Sequence, residues 1–419
     1  MNYRKTIRSV LQMAAVPGKS RDGRFTHTPS VADLRLLARR RLPKGVFDYF
    51  DGGAETEWTL RENENALHQV TFRPHVFSGA ADIDTTVQLL GSTLPVPLVL
   101  APIGMLGMAH PGGEAAAARM AGRHGIPFTH STMGSKSIEV VAAASGGGEL
   151  WFQLYMWRDR ALVADMLARA EAAGYRTLVV TADTPVFGNR HRDVRNGFSL
   201  PPRLRPSTFI DGALHPGWTL AFLRDGPPEF GNLASASTGD PSALALGEYV
   251  SKNFDPGVSW ADLDWLRPHW SGKIVVKGVQ TREDARMAVN AGVDGLVVSN
   301  HGGRQLDFSA PAMSLLPAIA EAVGDQTEVL FDGGIRGGTD ILKALALGAR
   351  SVLIGRAYAY GLAAGGEPGV DYVLSLLKAD LRRTMALTGV RRIADVNRDL
   401  VRVSGHAAHS DVPSLEAMR

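Results

Sequence analysis

EVLFDGGIRGGTDILKALALGARSVLIGR, residues 328–356, contains one complete repeat of the fold. An apolar run (328–334) leads through a glycine-rich link into a helix expected over 337–347, and then into a second apolar run, SVLIGR (351–356). Two short runs joined by an amphipathic helix are the signature of a βαβ unit in a parallel sheet. Upstream, the same alternation recurs in PLVLAP (97–102), IPFTHS (126–131), WFQLYM (151–156), TLVVTAD (177–183), KIVVKGV (273–279) and GLVVSNH (295–301). Helices are expected after several of them, at 112–124, 159–173 and 281–291. Eight such units predict a closed (β/α)8 TIM barrel rather than an open sheet.

Three stretches lie outside this rhythm. Residues 1–29 read as a basic N-terminal extension, and 30–66 as helices that cap the barrel, with Gly52 and Gly53 stopping one of them. Residues 184–258, after the fourth strand, are rich in Pro and Gly without a clear period, as expected of an inserted loop or lid. The barrel unit is expected over 30–390, with 391–419 as a C-terminal tail.

Composition narrows the chemistry. The 419 residues include no cysteine, which removes disulfides, thiolate metal sites and cysteine nucleophiles. No run is long enough to span a bilayer, since the most apolar stretch, 94–109, is broken by Pro95, Pro97 and Pro102. Residues 1–45 carry a net charge of +9 and the rest −6, so the start of the chain could attract an anionic surface or simply be a solvated arm. A nucleotide P-loop, a G-x-G-x-x-G after a strand, a G-x-S-x-G elbow and an H-E-x-x-H zinc motif are all missing. No metal and no nucleic-acid partner are expected.

Polar residues gather where strands end, which is the active-site face of such barrels. Because strand side chains alternate, Gln153 with Tyr155, Thr181 with Asp183, and Ser299 with His301 are expected to share faces at the mouth. The glycine loops DGGIRGGTD (332–340) and IGRA (354–357) bring backbone N–H groups and the charges of Arg336 and Arg356 to adjacent strand ends, a setting that suits a phosphate.

Read together, SNHGGRQLD (299–307), FQLYMWRDR (152–160), TADTP (181–185), VKGV (276–279), DGGIRGGTD, KALALGA (343–349) and APIGMLGMAHPGGE (101–114) strongly resemble the FMN-dependent 2-hydroxy acid dehydrogenase and oxidase family, over about residues 30–390. The resemblance implies His301 as catalytic base, Asp183 as its orienting carboxylate, and Lys277 beside the flavin's N1. It implies Arg190, Arg304, Tyr49 and Tyr155 around the substrate's carboxylate and hydroxyl. For FMN it implies Pro102, Ile103, Gly104, Ser131, Gln153, Thr181, Lys277 and Ser299 along the ring and ribityl chain. Asp332, Gly333, Gly334, Arg336, Gly355 and Arg356 would lie along the phosphate end, where a ribityl hydroxyl could satisfy Asp332.

Met133 and Gly104 depart from the glycolate oxidases of that family, while Gly104, the basic extension and HPGW (215–218) resemble its bacterial L-lactate dehydrogenases most, with the mandelate enzymes close behind. The implied reaction is oxidation of an L-2-hydroxy acid, L-lactate first, with electrons passed to a quinone-type acceptor. An oxygen-using oxidase and a non-catalytic flavin barrel are the alternatives. The resemblance also implies a homotetramer. The insertion's Phe209, Trp218 and Phe222 among Arg203, Arg205 and Arg224 would suit an anionic membrane surface, so the expected location is the cytoplasm or the inner face of the cell membrane.

Overall fold

The computed structural model describes residues 23–79, 81–197, 206–233 and 253–404. Eight parallel strands close into a barrel: β1 (Leu98–Leu100), β2 (Phe128–Ser131), β3 (Leu150–Leu154), β4 (Thr177–Thr181), β5 (Lys273–Val279), β6 (Gly295–Val298), β7 (Glu328–Asp332) and β8 (Ser351–Ile354). Each strand pairs with its sequence neighbours, and β8 closes on β1 through Val352 opposite Leu98 and Ile354 opposite Leu100. The strands are buried on both faces, which is why they read as continuous apolar runs rather than alternating ones. Leu98, Leu178, Val179, Leu296, Val297, Leu330 and Val352 are all essentially inaccessible, each contributing about 1.5–3 kcal/mol through burial.

Among the described residues, three α-helices precede the barrel: α1 (Val31–Arg41), α2 (Lys44–Asp51) and α3 (Trp58–His68). A reciprocal capping box starts α1, in which Ser30 accepts from the Asp33 amide while the Asp33 carboxylate accepts from Ser30. Gly52 follows the last residue of α2, as the sequence predicts.

The packed part of the chain is longer than 30–390. Phe25 is buried on Tyr372, with ring centroids 4.9 Å apart. At the other end, Val401–Val403 pairs antiparallel with Val70–Phe72. The expected C-terminal tail is therefore partly structural: 391–404 folds back, with Leu400 and Val401 buried, the Arg73 amide donating to the Leu400 carbonyl at 2.8 Å and the Ser404 amide to the Gln69 carbonyl at 3.0 Å. Residues 1–22, including most of the basic extension, lie outside the described residues.

The insertion also departs from expectation. Instead of an irregular loop it contains α4 (His191–Asn196), α5 (Pro206–Leu214) and α6 (Pro216–Asp225). Pro216 sits at the first turn of α6, where a missing N–H is harmless, and Gly226 with φ +78° ends it. The helices are short; α4 is almost entirely polar, and α5 and α6 carry apolar residues around most of their circumference, so no period shows in the sequence. The insertion returns through Phe254, which bridges Trp157 at the end of β3.

Candidate active site

A cavity of about 1120 Å³ opens at the C-terminal ends of the strands. Its walls include Pro102, Ile103, Gly104, Ser131, Gln153, Thr181, Lys277, Asp332, Gly333, Gly334, Arg336, Gly355 and Arg356, together with Tyr49, Tyr155, Arg190, His301 and Arg304. Two residues expected in the site are not walls. Asp183 stands behind His301, its Oδ1 2.8 Å from the imidazole Nδ1. Ser299 is fully buried, and its hydroxyl accepts from Lys277 Nζ at 2.8 Å and from the His301 amide at 3.0 Å. The shared face expected for Ser299 and His301 fails because β6 ends at Val298 and His301 adopts a left-handed φ of +58°. That turn separates the two side chains: Ser299 stays under the chain as support while His301 enters the cavity.

The charges are arranged in layers. Lys277 Nζ lies 3.0 Å from Asp332 Oδ2, with both side chains nearly excluded from water. Burial disfavours the ammonium, but Asp332 and Asp183 outweigh it, so its pKa is raised and the positive charge is kept. Burial likewise opposes the charge on Asp183, yet His301 and Lys277 outweigh it and hold that carboxyl below its ordinary value. For His301 burial wins over the attraction of Asp183 and its pKa is lowered, so the ring is neutral at pH 7 and can take a proton. An ionised carboxylate on Nδ1 leaves Nε2 as the atom that receives it.

Arg304 and Arg190 face the same space. Arg304 Nη1 donates to the carbonyls of Tyr49 (2.7 Å) and Gly52 (2.9 Å), and its guanidinium stands 5.3 Å from the Tyr49 ring centroid. Burial, then the like charges of Arg190 and Arg356, lower its pKa, which marks a cation short of an anion. Arg190 Nε is buried without a hydrogen-bond partner, and Nη1 reaches only Asp193, at 3.4 Å. Two guanidinium groups and a phenol around one volume fit a carboxylate.

At the other end, the residues present fit a phosphorylated ribityl chain. Asp332 Oδ1 is buried with no hydrogen-bond partner, an acceptor that asks for a hydroxyl donor. Gly334 has φ +87°, and a Cβ there would stand 2.5 Å from the Asn63 carbonyl oxygen, so only glycine lets this loop pass α3. The ten-residue helix Arg356–Gly365 begins at Gly355 without a side-chain cap, leaving its first amides for an anion. Arg336 is partly engaged already, by Glu64 at 2.8 Å.

Supporting residues were harder to see in the sequence. Asn63 and Asn300 exchange a reciprocal pair of amide hydrogen bonds at 2.9 Å, and Asn300 Oδ1 also accepts from the Gly303 amide, which fixes the loop on either side of His301. Gln305 accepts from the Gly188 amide and donates to the carbonyls of Asp183 and Val186, tying the catalytic loop to the start of the insertion. Gly188 permits that approach, since a Cβ there would stand 2.3 Å from the Arg304 carbonyl oxygen. The spacing of Arg190 and Asp193, three apart, was a readable helix-face signal once α4 is known.

The His301–Asp183 pair and the glycine-rich end with its free helix amides put a proton acceptor and an anion site in one cavity. Residues 38–403 match the model of the FMN-dependent dehydrogenase family, and the chain belongs to that family. The L-lactate dehydrogenase of Caulobacter vibrioides is 46% identical over 375 residues, 89% of this chain and 97% of that protein. A putative L-lactate dehydrogenase of Mycobacterium tuberculosis is 44% identical over 88% of this chain and 87% of its own length. Among solved structures, the monotopic membrane protein (S)-mandelate dehydrogenase superposes with a TM-score of 0.86 at 42% identity, covering 90% of this chain and all of that one. Mandelate oxidase does so with 0.77 at 38%, over 89% and 98%. The protein is thus an FMN-dependent enzyme, as its sequence implies.

Proposed function

We propose that this enzyme oxidises an L-2-hydroxy acid to the 2-oxo acid, with L-lactate the first substrate to test. The observation that carries this reading is the convergence of the His301–Asp183 pair, at 2.8 Å, and the Arg190, Arg304 and Tyr49 cluster on one cavity. Bound FMN supplies a two-electron sink at its N5. Arg304 and Arg190 hold the substrate's carboxylate, Tyr49 and Tyr155 flank its hydroxyl, and His301 Nε2 takes a proton while Asp183 stabilises the resulting imidazolium. Lys277, kept charged by Asp332, would offer the bound flavin a fixed positive charge to offset the negative charge it gains on reduction. Anaerobic bleaching of flavin absorbance by L-lactate, L-mandelate and glycolate in parallel ranks the substrates. Bleaching by none of them would overturn the reading.

The electron acceptor follows from the insertion. Phe209, Leu220 and Leu223 of α5 and α6 are each at least 67% exposed and stand outside the cavity, while the exposed Ile210 and Leu214 stand at its rim. On the inner side Trp218 and Phe222 stack, with centroids 5.0 Å apart, and line the cavity. Of the three aromatic residues expected to meet a membrane, only Phe209 faces outward. Trp218 turns in because its indole donates to the Met108 carbonyl at 2.7 Å. Arg203 and Arg205 lie outside the described residues. Among the described residues no helix is long and apolar enough to cross a membrane. An apolar outer face on a chain similar to a monotopic membrane protein supports peripheral docking on an anionic bilayer and a quinone as acceptor. Co-sedimentation with anionic liposomes at low and high salt tests the docking, and light scattering tests the expected homotetramer. The likeness to mandelate oxidase supports the oxygen-using alternative, which peroxide yield against quinone reduction separates.

A further inference from the structure

Arg190 has little of its own to hold it. Its Nε has no hydrogen-bond partner, its Nη1 reaches Asp193 at 3.4 Å, and its guanidinium lies 5.9 Å from the Tyr49 ring centroid. Its position comes from its two backbone flanks: Asn189 before it, whose carbonyl accepts from the Glu55 amide at 2.7 Å, and α4, the helix it precedes, which sets the direction of the side chain. Helix α4 is only six residues long, too short to be stable alone. Nor does it have an apolar anchor: Val194 is 63% exposed, and the buried residue of the helix is Asp193.

What fastens α4 is polar, and most of it is one side chain. Arg192 Nη1 lies 2.9 Å from Asp51 Oδ2 and 3.3 Å from Asp48 Oδ1, and its Nη2 lies 2.5 Å from Glu57 Oε2. Asn196 adds one bond to Asp48 at 2.7 Å. All three carboxylates belong to α2 or to the turn after it. Asp51 is almost fully buried and also accepts from Arg35 and, at 2.7 Å, from the Tyr360 hydroxyl, so this end of the tie cannot drift. The same end of α2 carries Tyr49, and its carbonyls at 49 and 52 receive Arg304.

We propose that Arg192 is a positioning residue for the substrate's carboxylate: it joins the helix that places Arg190 to the helix end that places Tyr49 and Arg304. The inference rests on the reading that Arg190 binds that carboxylate. Without Arg192, Asp48, Asp51 and Glu57 lose a shared cation, their mutual repulsion rises, and α4 is released together with Arg190. The flavin-binding walls stand on the barrel strands and the loops after β1, β7 and β8; Arg356 reaches the end of α2, but through the backbone carbonyls of Asp51 and Gly52 and not through the carboxylates that Arg192 holds, so FMN binding is expected to persist. His301 is untouched, being held through Asp183, Ser299 and the Asn63–Asn300 pair.

The test is a double-mutant cycle. Arg192→Met should raise the L-lactate concentration for half-maximal flavin reduction at least tenfold, change the limiting rate less than threefold, and leave FMN content unchanged. In an Arg190→Met background the same substitution should add nothing. Additive effects, an unchanged half-saturation value, or a loss confined to the limiting rate would overturn the proposal. Oxalate binding, read as a shift in flavin absorbance, gives the same comparison without turnover and is expected to weaken at least tenfold in Arg192→Met. It separates failure of this proposal from failure of the substrate assignment. If Arg192→Met does not fold, Glu57→Gln removes one of the three ties and should weaken oxalate about two- to threefold, with no effect counting against the proposal. Arg192→Lys, a point charge in place of a fork, should recover part of the affinity.

Discussion

The two sides of the cavity are built by opposite means. On the barrel side, His301, Lys277 and Asp332 sit at or just beyond strand ends, each with a charged partner within 3.0 Å and strands buried on both faces beneath them. On the insertion side, α6 has no buried residue, and it is held by the Trp218 indole bond to Met108 and by the Thr219 hydroxyl, which donates to the Gly212 carbonyl of α5 at 2.6 Å. Proton transfer is sensitive to displacements of a fraction of an ångström, whereas admitting a substrate or meeting an acceptor requires surface that can give. The comparison teaches that this fold keeps its chemistry on the sheet and leaves access to the inserted helices.

The sharpest attempt to break that division is His301→Gln. Flavin should stay bound, because the phosphate end and Lys277 are unaffected, while reduction by L-lactate slows by ~10⁴-fold, the upper range for loss of a general base with a misplaced substrate. Stopped-flow absorbance measures it, and near-normal bleaching would remove His301 from its role. Asp183→Asn should slow reduction by about 10²-fold. In the parent enzyme the neutral imidazole is the active form and burial lowers its pKa, against the opposing pull of Asp183. The reduction rate should therefore be level through neutrality and fall only below the ordinary histidine value of 6.5. Removing the Asp183 charge removes an influence that raises that pKa, so the acid limb should move to still lower pH.

A step down in size comes Arg304→Lys, expected to lower kcat/KM by about tenfold to a hundredfold. Lysine cannot span the Tyr49 and Gly52 carbonyls and also present a planar fork to a carboxylate. Every carboxylate substrate should suffer alike; selective loss with one substrate would mean that Arg304 reads the side chain instead. The smallest effect is expected on the insertion side. Trp218→Ala should leave anaerobic flavin reduction within about twofold and slow reoxidation by a soluble quinone several-fold. A large effect on the reductive half would show that α6 belongs to the rigid part of the site after all.

Much of this was legible because the relevant physics is local. A strand buried on both faces must be apolar throughout, a glycine loop between such runs must turn tightly, and eight repeats leave a closed barrel as the economical topology. Candidate residues were legible for the same reason, since a polar group at the end of an apolar run is conspicuous. The insertion was not, because α4 is six residues of almost wholly polar sequence and α5 and α6 are short helices with apolar side chains on most sides, so none carries a clear period. Its aromatic residues could be counted but not aimed: Phe209 points out and Trp218 in, and the bond from Trp218 to Met108 crosses 110 positions of chain.

What the sequence by itself determined is the βα order, the chemical types at each strand end and the family to which they belong. Tertiary structure alone decided which of those groups share a volume. It turned His301 into the cavity on a left-handed backbone and left Ser299 beneath it, although alternation along a strand would have put both on one face. It also brought Arg192 to Asp48, Asp51 and Glu57, partners 135 to 144 residues away. Side-chain pattern records how each segment meets water, so it specifies elements. Distances between segments depend on how the closed barrel and its packed helices place them, and no local pattern contains that information.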